Sequence, residues 1–124
     1  MKYDHKKIVD IVKSVRKYPE AKETPQEVWI DWIDEQMKLN NGFCAGFAKG
    51  EIEVPLSLEY KKGGNPLNYP SIDRIDNSKG HTIENCQLTS MGYNYMANNR
   101  SEEEVLKFLK LIKAGICKID METP

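Results

Sequence analysis

The chain has 124 residues, 40% hydrophobic and 30% charged, which is enough for one hydrophobic core and too short for two ordinary domains. No apolar run approaches the length of a membrane span, so a spanning protein is excluded as a reading. A formal net charge of −1 is unlike the basic balance of proteins whose affinity rests on phosphate contacts alone, so nucleic-acid binding must come from a local patch.

In chain order, residues 4 to 17 place Ile8, Ile11, Val12 and Val15 on one helical face, with Lys2, Lys6, Lys13, Arg16 and Lys17 on the other. This predicts an amphipathic helix with a basic stripe. Thr24-Pro25-Gln26-Glu27 reads as a capping box with Pro at the first helical position. The helix it opens carries Val28, Trp29, Trp32, Ile33 and Met37 and stops at Asn40-Asn41-Gly42. Between Phe43 and Tyr60, the alternations FCAGFA and IEVPLSLEY, divided at Lys49-Gly50, predict a short hairpin, with Pro55 pushing the second run to an edge. Lys61-Lys62-Gly63-Gly64-Asn65 then reads as a basic loop.

Ile72, Asp73 and Ile75 suggest a short strand, followed by the turn formers Asp76-Asn77-Ser78-Lys79-Gly80. Cys86-Gln87-Leu88-Thr89 reads as a second strand, and Ser90 is placed to cap a helix beginning near Met91, with Asn94 about one turn in. A last helix opens with Ser101-Glu102-Glu103-Glu104 and presents Val105, Phe108, Leu109, Ile112 and Ile116, with a frayed tail from Lys118. Cys44, Cys86 and Cys117 form no CxxC pair; an odd cysteine number with no signal peptide reads as reduced thiols in a cytoplasm. Charge is uneven. Residues 1 to 23 hold seven basic and four acidic residues, residues 60 to 100 five and three, and residues 24 to 59 two and seven.

The stretch YPSIDRIDNSKGHTIENCQLTSMGYNYMANNR, residues 69 to 100, resembles the HNH, or ββα-metal, endonuclease superfamily. That family places an Asp-His pair on a first strand, an Asn before the second strand, and an Asn or His on the following helix. Asp73-Arg74, Asn85 and Asn94 fall on those places in order, and the wording is similar to a bacterial and phage branch in which PSxDRIDxxxGxxxxN recurs. With Asn65-Pro66 and Pro70, the resemblance covers roughly residues 40 to 112.

The resemblance implies an α+β fold: a small ββα-metal unit with a short β-hairpin, wrapped by N-terminal and C-terminal α-helices. On that resemblance, residues 1 to 124 are expected to form one HNH-like domain, divided into a helical part (1 to 40), the hairpin and motif (41 to 100) and a C-terminal helix (101 to 117). It further implies Mg²⁺ or Mn²⁺ held by Asp73 and Asn94, since hard cations prefer a few oxygen ligands and retain waters. No structural zinc is expected, because the two CxxC pairs that hold one in many such proteins are missing. Asn85 would brace the loop and orient the catalytic residue of the first strand.

Arg74 stands where the family places the His that accepts a proton from water. Arginine stays protonated at any working pH, so it is no general base; its planar fork suits a phosphate clamp. The alternatives for the base are His81, Tyr93 and Tyr95, with Tyr69 a weaker fourth; a tyrosine would need a strongly depressed pKa. Lys6, Lys13 and Lys17, with Lys61, Lys62 and Lys79, are the candidate nucleic-acid contacts. The leading expectation is a phage- or prophage-encoded DNA endonuclease or nickase in a host bacterial cytoplasm, with a homodimer left open. A catalytically silent HNH-fold module binding nucleic acid or a host protein, such as an inhibitor of host defence, is the alternative. A third reading makes the acidic 24 to 59 region an interaction surface.

Overall fold

The computed structural model describes residues 5 to 59 and 64 to 122, with side chains placed through residue 115. It is a small α+β protein. Its helices are α1 (His5–Val15), α2 (Gln26–Leu39), α3 (Ala45–Ala48), α4 (Met91–Ala97) and α5 (Glu102–Glu122), and its strands β1 (Pro70–Arg74) and β2 (Cys86–Ser90). Two 3-10 turns, Pro19–Glu23 and Ile83–Asn85, complete the order.

The i, i+3, i+4, i+7 stripe of α1 is buried along its length: Ile8, Ile11, Val12 and Val15 all sit in one core. Each such side chain contributes roughly 1.5–3 kcal/mol when taken from water. Facing it, α2 contributes Trp29, Ile33 and Met37, and the hairpin contributes Ile72, Cys86 and Leu88. Trp29 is fully buried, and its indole N–H donates to the Ala21 carbonyl at 2.9 Å. A second cluster of Cys44, Tyr93, Ala97, Val105 and Leu109 joins α3, α4 and α5.

β1 and β2 pair antiparallel, with Ile72 opposite Leu88, Asp73 opposite Gln87 and Arg74 opposite Cys86. Side chains alternate across the sheet, so Ile72, Cys86 and Leu88 point to the α1/α2 core. Ser71 and Asp73, with Thr89 and Gln87, therefore take the other face, against which α4 packs. Ser90 caps α4 by accepting the Tyr93 N–H at 3.1 Å, in keeping with its position ahead of Met91. Ser101 likewise accepts the Glu104 N–H at 3.1 Å.

Three local expectations need correction. FCAGFA is not a strand: Ala45–Ala48 is helical, and pairing is confined to a single Phe43–Pro55 bridge, flanked by Cys44 N–H to Val54 O and Leu56 N–H to Gly42 O, both 2.8 Å. Pro55 brings no N–H to a ladder, and a short apolar run does not distinguish helix from strand. The Thr24 capping box is not formed, because Pro25 itself takes the cap position and no side chain bonds there. Its carbonyl instead receives the Val28 and Trp29 N–H groups. Finally, α5 continues to Glu122, beyond the predicted end at 117.

The stop of α2 is as its residues require. Asn41 adopts φ 52°, and Gly42, at φ 78°, donates to Met37 O at 2.9 Å, the 6→1 bond that closes a helix through a left-handed residue. Among the described residues, no helix is long and apolar enough to cross a membrane.

Candidate functional site

The turn formers after β1 fold into a loop tied by its own side chains. Asp76 Oδ1 accepts from the Ser78 N–H (2.9 Å) and hydroxyl (2.6 Å), and these bonds hold its carboxyl below the usual range. Asn85 closes the loop: its Oδ1 accepts the Asp76 N–H, and its Nδ2 donates to the carbonyls of Asp76 and Gly80, all at 3.0 Å. Arg74 Nη1 donates inward to the carbonyls of Asn77 (3.1 Å) and Lys79 (3.3 Å), so the guanidinium clamps this loop. Asn77 links the loop to the end of α4 through the carbonyls of Asn98 and Arg100.

A broad groove of about 770 Å³ opens between α1, β1 and α4. Asp73, Arg74, His81 and Asn94 line it, together with Lys6, Lys7 and Lys17 of the first helix and its end. No residue from the acidic 24 to 59 segment contributes to its walls.

Asp73 is half-buried, and desolvation raises its carboxyl above the ordinary range; the Arg74 N–H, the Gln87 side chain and the Arg74 charge act in the opposite direction. Asn94 donates through Nδ2 to Ser71 Oγ at 3.0 Å, which directs its amide oxygen elsewhere. His81 is held by Glu20: its backbone N–H donates to Oε1 at 2.9 Å, and its Nδ1 lies 3.4 Å from the same atom. Tyr18 stacks on the imidazole, with centroids 3.7 Å apart and planes 6° from parallel. Burial lowers the His81 pKa, the neighbouring Glu20 carboxylate opposes that, and Arg74 adds to it.

Tyr93 does not line this groove. It is buried against Gly46 and edge-on to Phe47, and desolvation, with the Asp73 charge, pushes its phenol up to about 12, the opposite of what proton acceptance requires. Tyr95 is exposed, and Tyr69 is buried in the α1/α2 core.

The cationic positions divide. Lys6 and Lys17 line the groove; Lys13 is exposed and Lys79 is exposed on the loop, and neither lines it. Lys7 lines it while donating to the Leu58 carbonyl. Arg16, placed by helical spacing on the basic stripe, is half-buried with its Nε turned inward. Lys61 and Lys62 lie outside the described residues.

Sequence reasoning missed Tyr18 and Glu20. The contact between Glu20 and His81 spans 61 residues of sequence and leaves no local periodicity.

Among the described residues, no group of three or more His, Cys, Asp and Glu is gathered to hold a metal. The oxygen-bearing side chains on the groove wall include the Asp73 carboxylate and the Asn94 amide, along with Asp10, Ser71, Asn98 and Asn99. Two protein oxygens suit a hard cation that keeps several waters, and a poorly solvated carboxylate gains from a cation beside it. In comparisons with known proteins, the chain matches no family model, no curated protein and no solved structure.

Proposed function

We propose that the chain is a metal-dependent phosphodiester hydrolase of HNH type, a DNA endonuclease or nickase working in the cytoplasm of a bacterial host. The observation that carries this reading is the shared groove: Asp73 and Asn94, the two residues on the ligand places of the HNH pattern, line it together with His81, Lys6, Lys7 and Lys17. A strand, loop, strand, helix order supports it as well.

Asp73 and Asn94 would hold Mg²⁺ or Mn²⁺, which when bound neutralises charge on the phosphoryl oxygens and stabilises the leaving oxygen. The chain's own residues do the rest. Lys6 and Lys17 supply positive charge along the groove for the nucleic-acid backbone, contacts that position without reading sequence. Arg74 and Asn85 fix the loop that carries His81, so the imidazole is presented at a set place. His81, lowered in pKa and neutral near pH 7, is the groove-lining side chain suited to accept a proton.

A labelled duplex oligonucleotide incubated with Mg²⁺, Mn²⁺ or EDTA tests the proposal. Products bearing new termini in the metal lanes alone are expected; intact substrate in every lane would reject it. The alternative, a silent module that binds nucleic acid or a host protein, draws its support from Arg74, which stands in the place of the usual proton acceptor and spends its guanidinium on loop carbonyls.

A further inference from the structure

We propose that Glu20, on the 3-10 turn between α1 and α2, is a positioning residue for His81, and that the pair supplies the proton acceptor that the strand position occupied by Arg74 cannot provide. The inference rests on the phosphodiesterase reading and deepens it.

One carboxylate oxygen meets His81 twice, at the backbone N–H (2.9 Å) and at Nδ1 (3.4 Å). The first contact anchors the residue and the second faces the ring. A carboxylate accepts and does not donate when ionised, so it selects the imidazole tautomer with the proton on Nδ1 and leaves the lone pair on Nε2. Glu20 stays ionised because the His81 N–H lowers its pKa. Tyr18 fixes the ring plane by stacking, and Lys17 Nζ lies 5.5 Å from the Tyr18 ring centroid.

The approach depends on Gly80. A Cβ there would come within 2.8 Å of Glu20 Cγ and 3.0 Å of Oε1, so any larger residue would drive the carboxylate off the histidine. The charged groups that act on His81 are Glu20 from the turn and Asp73 and Arg74 from β1, while Lys6, Lys7, Asp10 and Lys17 share its groove. In the reaction, a water proton passes to Nε2 as the water oxygen forms a bond to phosphorus. The bond from phosphorus to the leaving sugar oxygen breaks, and that oxygen takes its proton from solvent.

The test has one arm that needs no turnover. The chain has only two histidines, so a His5→Gln background leaves one imidazole to follow by ¹⁵N NMR. Near pH 7, His81 is expected as the Nδ1–H tautomer, and Glu20→Gln should shift it toward Nε2–H. Gly80→Ala, which displaces the carboxylate without removing it, should do the same. An Nε2–H tautomer in the parent, or the same tautomer in all three proteins, would overturn the positioning claim whatever the cleavage result.

In the cleavage arm, Glu20→Gln should lower kcat about tenfold with KM unchanged, and His81→Asn should lower it about 10²-fold or more, in the range of general-base loss. Full activity of His81→Asn would remove the proton acceptor from His81. Expected spectra combined with a parent that cuts nothing would overturn the phosphodiesterase reading and the catalytic half of this proposal, leaving the orientation of His81 by Glu20 standing.

Discussion

Asn94 donates its side-chain amide to the hydroxyl of Ser71 at 3.0 Å, tying α4 to β1 on the face of the strand that also carries Asp73. The bond orients the Asn94 amide, and Asn94 lines the same groove as Asp73. Ser71→Ala should therefore lower stability by only about 1 kcal/mol, the net worth of one hydrogen bond. It should nonetheless weaken Mn²⁺ binding, because the amide is no longer held. Calorimetric titration of both proteins with Mn²⁺ checks this; equal affinity would detach Asn94 from the metal.

Arg74 and Asn85 should act through the loop. Arg74→Ala should cost about 1.5–3 kcal/mol of stability, the range for hydrogen bonds to a charged group, and Asn85→Ala a similar amount summed over its three neutral bonds. Arg74→Lys should restore part of the loss, since an ammonium lacks the planar fork. Arg74→His would place at this position the residue that the HNH pattern carries there but gives up the clamp, and no gain in cleavage is expected from it. Thermal melts beside cleavage rates separate the two effects.

The elements that local pattern fixes are legible in the sequence: the α1 stripe, the Asn41-Gly42 stop, the Ser90 cap and the two short strands β1 and β2 all follow from spacing and residue type. The FCAGFA segment is not, because small apolar residues fit helix and strand alike and Gly46 is used there to admit the Tyr93 ring. Asp73, Asn85 and Asn94 can be picked out by the family pattern, whereas the roles of Glu20 and Tyr18 depend on a long-range contact. Arg74 shows the limit most clearly: its charge argues for a phosphate, and its geometry spends that charge on two carbonyls.

Gly46→Ala should destabilise the fold by roughly 1–3 kcal/mol, the cost of overpacking a filled core. A Cβ at that position would lie 2.4–2.5 Å from the Tyr93 ring, which is buried and has little room to retreat. Chemical denaturation reads the change, and an unaltered midpoint would mean that the α3–α4 contact is loose.

Salt dependence should separate the lysines. Replacing Lys6 and Lys17 with Gln should reduce the slope of log K against log salt by about two units, close to one for each phosphate no longer neutralised. Lys13→Gln should leave it unchanged, since Lys13 does not line the groove. Equal effects from all three would spread the nucleic-acid path over the whole outer face of α1.

The pH dependence of cleavage should follow His81. A base works when unprotonated, and burial lowers the pKa of this imidazole from its ordinary 6.5, so the midpoint of the acidic limb should lie below 6.5. An acidic limb lying above 6.5 would point to another group.

The most direct measurement converts supercoiled plasmid to the nicked form with the parent chain, Asp73→Ala and Asn94→Ala, each in Mg²⁺, Mn²⁺ and EDTA, with circular dichroism confirming that all three are folded. Nicking by the parent in either metal, absent in EDTA and reduced about 10²-fold or more in both variants, is the expected result, since losing one of the two proposed protein ligands would remove several kcal/mol of charge stabilisation. A parent that leaves the plasmid supercoiled in every metal, or variants that nick as well as the parent, would contradict it.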